Sequence, residues 1–168
     1  MFAKLGAVDI TVIILVAIIL LLILYIVITV NSFKRLLVQI GKADNEVDQY
    51  LTQRYELLTK ALNIAKDHTG QKDTSFDAIE LKKDMTIDEK ALVYKQLKEV
   101  NIKVNSLINN KEYAGLVQEL KDSEEDLQSA IKNYNSIVAH FNQMLVSFPA
   151  KTIARMINLK PIKPFDFS

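Results

Sequence analysis

The sequence has no cysteine, and only four glycines and three prolines in 168 residues. Without cysteine there is no disulfide framework, no thiolate nucleophile and no Cys-ligated zinc site. Few glycines and prolines leave few helix breakers, and Pro149, Pro161 and Pro164 all lie near the C-terminus. Long helices are therefore expected from Ser32 to Phe148, with little turn chemistry to build strands. Neither charge sign predominates: Lys+Arg 21 against Asp+Glu 20 gives a formal net charge of +1. The signs alternate through the polar part, which offers no electrostatic footprint for a nucleic acid. A Gly-rich phosphate loop, a G-x-S-x-G elbow and an HExxH or ExxH pair are also missing. No catalytic residue, cofactor or metal site is expected, and His68 and His140 have no ligand partner at metal-binding spacing.

What is present is a sharp division of solvent preference. Ile10 to Val30 reads ITVIILVAIILLLILYIVITV, with Thr11, Tyr25 and Thr29 as its only polar groups. As a helix it spans about 31 Å, the thickness of a bilayer core. A cleaved signal peptide is the competing reading, but the run is longer than a usual h-region and Thr29-Val30-Asn31 offers no small-x-small cleavage site. Residues 1–9 are then a short leader and 10–30 a transmembrane helix. Lys34, Arg35 and Lys42 follow the span closely, whereas Lys4 and the terminal amine precede it with Asp9. The positive-inside rule favours an outer N-terminus and a cytoplasmic C-terminal domain.

Residues 31–148 read as an antiparallel bundle of three to four helices. Apolar residues continue at helical spacing from Phe33 through Leu36, Leu37, Ile40, Val47, Leu51, Leu58 and Ala61, so anchor and first bundle helix are expected to be continuous. Gly41 is the expected bend, since glycine weakens a helix interior by about 1 kcal/mol. This helix should end near Asp67 to Asp73, and a short helical piece is expected through Phe76, Ile79 and Leu81. Thr86-Ile87-Asp88-Glu89 fits a capping box that starts a new helix. Its stripe is Ile87, Ala91, Tyr94, Leu97, Val100, Val104, Leu107 and Ile108, with Asn109-Asn110 as its end. Tyr113, Val117, Leu120, Glu124, Leu127, Ile131, Tyr134, Val138, Phe141, Leu145 and Phe148 form a heptad seam, with an aromatic ladder at Tyr134, Phe141 and Phe148 expected in the core.

Residues 149–168 should form a short basic amphipathic helix and a tail. The helix carries Ile153, Ala154, Met156 and Ile157 with Lys151 and Arg155, and is expected to dock on the bundle or to lie on an anionic membrane surface. The tail after Leu159 cannot stay helical. Its Phe165 and Phe167 are expected to be exposed and to contact another chain.

Tyr134-Asn135 and Phe141-Asn142, followed by Ser147-Phe148-Pro149, Ile153-Ala154 and Leu159-Lys160-Pro161, closely resemble the C-terminal signature of the LemA family. Ser123-Glu124-Glu125 stands where that family has Thr-Glu-Asn, and Lys132 stands for its basic residues before Tyr-Asn. Near the anchor, Asn31 and the run Gln53 to Leu62 correspond to further family segments. The resemblance implies a single-pass bacterial membrane protein with an α-helical soluble domain, and it implies no reaction.

Two charges interrupt the apolar pattern. Arg54 shares a helix face with Ile40, Val47 and Ala61, and Glu124 sits on the seam. An isolated buried charge is costly, so an Arg54–Glu124 pair across the bundle is the economical reading, with a solvated bundle edge or a ligand site as alternatives. Asn135 and Asn142 lie beside the seam, placed for interhelical hydrogen bonds or for ligand recognition. The expected function is a membrane-anchored scaffold or adaptor, and its expected partners are the lipid bilayer, a second copy of itself and an unidentified membrane protein. A ligand-binding or enzymatic bundle with an interior polar site, and a membrane-shaping protein, are the alternatives.

Overall fold

A computed structural model describes residues 6–69, 79–107 and 114–166. Among these residues there are four helices and no strand: α1 (Ala7–Thr69), α2 (Ile87–Leu107), α3 (Ala114–Val146) and α4 (Ala150–Met156). The protein is an all-α bundle with one long apolar N-terminal helix, and α1 is long and apolar enough to cross a membrane. The chain divides into two compact units, one of Met1–Val38 with Phe141–Pro161 and the other of Gln39–His140 with Ile162–Ser168.

In the first unit, the aliphatic residues of α1 from Ile10 to Ile28 are exposed, and burial begins at Thr29 and Phe33. Phe33 meets Phe141 edge-on, with ring centroids 5.9 Å apart and an interplanar angle of 81°. That geometry sets the positive ring edge against the negative face of its partner. Helix α4 buries Ile153 and Ala154 in this unit.

The second unit holds most of the core. Val47, Leu51, Leu58 and Ala61 of α1, Leu97 and Val104 of α2, and Leu127, Ile131 and Val138 of α3 are all 0% exposed. Side chains of this size each favour burial by roughly 1.5–3 kcal/mol, which makes the apolar stripe the main stabilising term. α1 and α3 run antiparallel here: Arg54 reaches the Leu120 carbonyl and Glu46 reaches Asn133. The capping box forms at the start of α2. The Thr86 amide donates to Glu89 Oε2 at 2.7 Å and the Glu89 amide to Thr86 Oγ1 at 3.4 Å. The bond from the Thr86 backbone holds the Glu89 carboxyl below its ordinary range.

α1 passes through Gly41 as uninterrupted helix. Three expectations are corrected. Ile79 to Leu81 is not helical, although Ile79 is buried; Phe76 lies outside the described residues. Phe148 is 87% exposed and not a rung of the core, because α3 stops at Val146 and the chain turns before the heptad can place it. Phe165 is 2% exposed, so it is a core side chain and not a free aromatic. Its partner candidate Phe167, with Tyr113, Ile108 and the Asn109-Asn110 end, lies outside the described residues.

Candidate functional site

The second unit concentrates its polar side chains in one cluster to which each long helix contributes. Arg54 comes from α1, Tyr94 from α2, and Ser123, Glu124 and Gln128 from α3. Helical spacing places Glu124 and Gln128 one turn apart on one face. Arg54 Nη2 lies 2.7 Å from Glu124 Oε2, with the arginine side chain 0% exposed and the glutamate 19%. Arg54 Nη1 donates to the Leu120 carbonyl at 2.9 Å and to Ser123 Oγ at 2.8 Å. The other carboxylate oxygen of Glu124 accepts from the Tyr94 hydroxyl at 2.9 Å and from Gln128 Nε2 at 2.7 Å.

Electrostatics follow from this enclosure. Burial draws the Arg54 guanidinium below its ordinary value, and the negative charge of Glu124 opposes the shift. Guanidinium stays protonated under such shifts because its ordinary value is so high. The Tyr94 phenol is pushed up to about 12, first by burial and then by its hydrogen bond to Glu124. It is a neutral donor at physiological pH, and the site holds a compensated positive and negative charge braced by neutral groups.

The C-terminal tail completes the cluster. The Phe165 ring stands edge-on to Tyr94, centroids 6.0 Å apart. Asn135 Nδ2 donates to the Phe165 carbonyl at 2.9 Å, and the Phe165 amide donates to Asn135 Oδ1 at 2.7 Å. One amide side chain thus satisfies both backbone groups of a buried residue. Tyr134 donates its hydroxyl to the Lys163 carbonyl at 3.2 Å, and Lys163 Nζ reaches Asp88 at 2.5 Å. Asn142 is half-buried in the other unit.

Of the residues singled out by sequence, then, Arg54 and Glu124 are brought together, and Asn135 with Phe165 forms a second pairing that sequence did not indicate. Lys90 was missed. It is 1% exposed and meets Asp44 at 2.6 Å and Asp48 at 2.8 Å. The signal was available: Asp44 and Asp48 are spaced i, i+4 around Val47 on α1, and Lys90 precedes Tyr94 by one turn on the buried face of α2. Surface depressions on this unit are lined by α1 residues such as Tyr55, Glu56 and Lys60, and neither Arg54 nor Glu124 lines them. Among the described residues, no group of three or more His, Asp or Glu is gathered as a metal site.

The model of the LemA family matches residues 43–168. The chain belongs to the LemA family. All members of the cluster and the tail clamp lie inside the LemA match, whereas the aliphatic span of α1 precedes it. No curated protein and no solved structure matches the chain. In this LemA domain Tyr134 and Asn135 both hold the tail, Tyr134 through its hydroxyl and Asn135 through its amide.

Proposed function

We propose that this protein is a single-pass helical scaffold of the bacterial cell membrane, anchored by residues 10–30 with its bundle in the cytoplasm, and that it acts by presenting an interaction surface and not by catalysis. The observation that carries this reading is the double character of α1. From Ile10 to Ile28 its aliphatic side chains are exposed on every side, for example Leu20 at 61% and Leu21 at 65%, while Val47, Leu51 and Leu58 of the same helix are 0% exposed. A helix stretch that is apolar all round and uncovered by protein suits lipid, and an amphipathic stretch suits a bundle. Lys34, Arg35 and Lys42 just after the span support the cytoplasmic placement.

The non-enzymatic part is supported by how the polar cluster is used. Arg54 Nη1 and the Glu124 carboxylate bond to helices of their own bundle, and the guanidinium has no exposed surface, with Arg54 Nε left as a buried donor without a hydrogen bond. Self-association is the simplest way for such a protein to assemble, since a uniformly aliphatic span has nothing to repel a second copy.

A photoreactive residue in place of Ile102, an exposed apolar position on α2 at 65%, tests the scaffold in cells. Adducts to a second copy support self-assembly, and adducts to one distinct membrane protein support an adaptor. Recovery of the chain without adducts, and as a monomer in mild detergent, refutes the scaffold. Because the chain lacks cysteine, a single Ser129→Cys on exposed α3 reports orientation. Labelling of intact cells by an impermeant maleimide would overturn the cytoplasmic assignment.

A further inference from the structure

The first unit gathers exposed apolar and cationic side chains beyond the span. Outside residues 10–28, the large exposed apolar side chains among the described residues concentrate here: Leu37, Val38, Val146, Phe148, Met156 and Ile157, with Phe148 at 87% and Met156 at 70%. Exposure on this scale, gathered in short segments, marks an interaction surface. Charge is gathered as well. Residues 31–38 and 141–161 contain Lys34, Arg35, Lys151, Arg155 and Lys160 and no Asp or Glu. The fold therefore collects five cations without one anion in a chain whose formal net charge is only +1.

Position decides the partner. Phe33 packs on Phe141, close to where the exposed span gives way to buried residues at Thr29. In the antiparallel sense in which α3 pairs with α1, five residues beyond Phe141 is level with five before Phe33. Val146 thus stands level with Ile28 of the span, and Phe148 follows it. Helix α4 is held there by its buried Ile153 and Ala154, with Arg155 and Met156 exposed.

We propose that the turn between α3 and α4 enters the bilayer interface beside the anchor, with Phe148 and Met156 among the acyl chains and Lys151, Arg155 and Lys160 on anionic lipid headgroups. This rests on the anchor reading given above. Interfacial segments bind by apolar insertion combined with cationic attraction to acidic lipids, and this corner supplies both. The corner then grips the leaflet from which the span emerges into the bundle, and it makes that grip selective for anionic lipid.

The chain has no tryptophan, so Phe148→Trp in the full-length protein is a single reporter at an exposed position. The variant is reconstituted in phosphatidylcholine vesicles containing phosphatidylglycerol, with one or the other lipid brominated. Expected are a blue-shifted emission, loss of intensity with either brominated lipid, and a greater loss with brominated phosphatidylglycerol. That preference should disappear when Lys151, Arg155 and Lys160 are all changed to Gln. Leu20→Trp isolates the anchor: if it is not quenched, the anchor reading fails. If Leu20→Trp is quenched while Phe148→Trp emits as in water, the anchor stands and the corner does not enter the interface. Equal quenching by the two lipids would overturn the anionic selectivity.

Discussion

Asn135 and Phe165 are joined by two hydrogen bonds of opposite direction, so that a single side-chain amide mimics the edge of a strand for one residue of the tail. The ring of Phe165 is buried against Tyr94, which sits on the carboxylate of Glu124. Asn135→Ala removes both bonds and should cost about 2 kcal/mol, and Phe165→Ala about 3 kcal/mol through the cavity it leaves. Hydrogen exchange is the direct check. In either variant the backbone amide of residue 165 should lose its protection while core amides of α1 near Leu51 keep theirs; unchanged exchange at residue 165 would mean the clamp is not closed in solution.

Arg54 and Glu124 should respond unequally to loss of their partner. Glu124→Gln leaves a fully buried guanidinium without its counter-charge, and a loss of about 3 kcal/mol is expected. Arg54→Met puts hydrocarbon in the core, and Glu124 keeps its bonds to Tyr94 and Gln128 and 19% exposure. That variant should lose less. The double variant should be more stable than the sum of the two single losses, as urea unfolding in mild detergent would measure. Equal and additive losses would remove the ion pair from the account.

The phenol of Tyr94 gives a pH dependence with a definite sign. Its folded value of about 12 lies above the ordinary value near 10. The folded protein binds this proton more tightly than the unfolded chain. Its contribution is therefore complete below about pH 10 and is lost as pH rises from there toward the folded value. The parent protein should lose stability more steeply across that window than Tyr94→Phe. Parallel pH profiles would contradict the coupling to Glu124.

Gly41 lies within α1, and a Cβ built there meets nothing within 4 Å. Gly41→Ala should stabilise the bundle by up to about 1 kcal/mol, read as a rise in melting temperature. A fall would mark Gly41 as a place where the helix must yield.

How far the sequence disclosed this depended on the range of the interaction. Periodicity placed Val47, Leu51, Leu97, Leu127 and Ile131 in the core, because a helical stripe is a local pattern and the burial of each member follows from it. Thr86 and Glu89 were legible for the same reason, with the whole capping box inside four residues. The Arg54–Glu124 pair could be anticipated because each charge breaks an apolar face and each needs compensation. Phe165 was misread because nothing within the tail shows that Asn135 will take up its backbone. Phe148 was misread because the heptad rule extends only as far as the helix, and α3 ends two residues earlier. The five cations of the first unit look dispersed in the chain, as Lys34 and Lys151 come into one unit only through folding.

The place of Phe165 in the core has a consequence for how the protein is made. The bundle cannot seal over Tyr94 until residue 165 has left the ribosome, by which time the segment from Ile10 to Val30 has long been synthesised. Domains usually begin to fold as they emerge, but here the core around Tyr94 stays open until a residue well beyond α3 has emerged. A chain interrupted between α3 and residue 165 would carry its hydrophobic span and most of its polar cluster yet leave Tyr94 and Asn135 uncovered, which gives cellular proteolysis a physical handle on it.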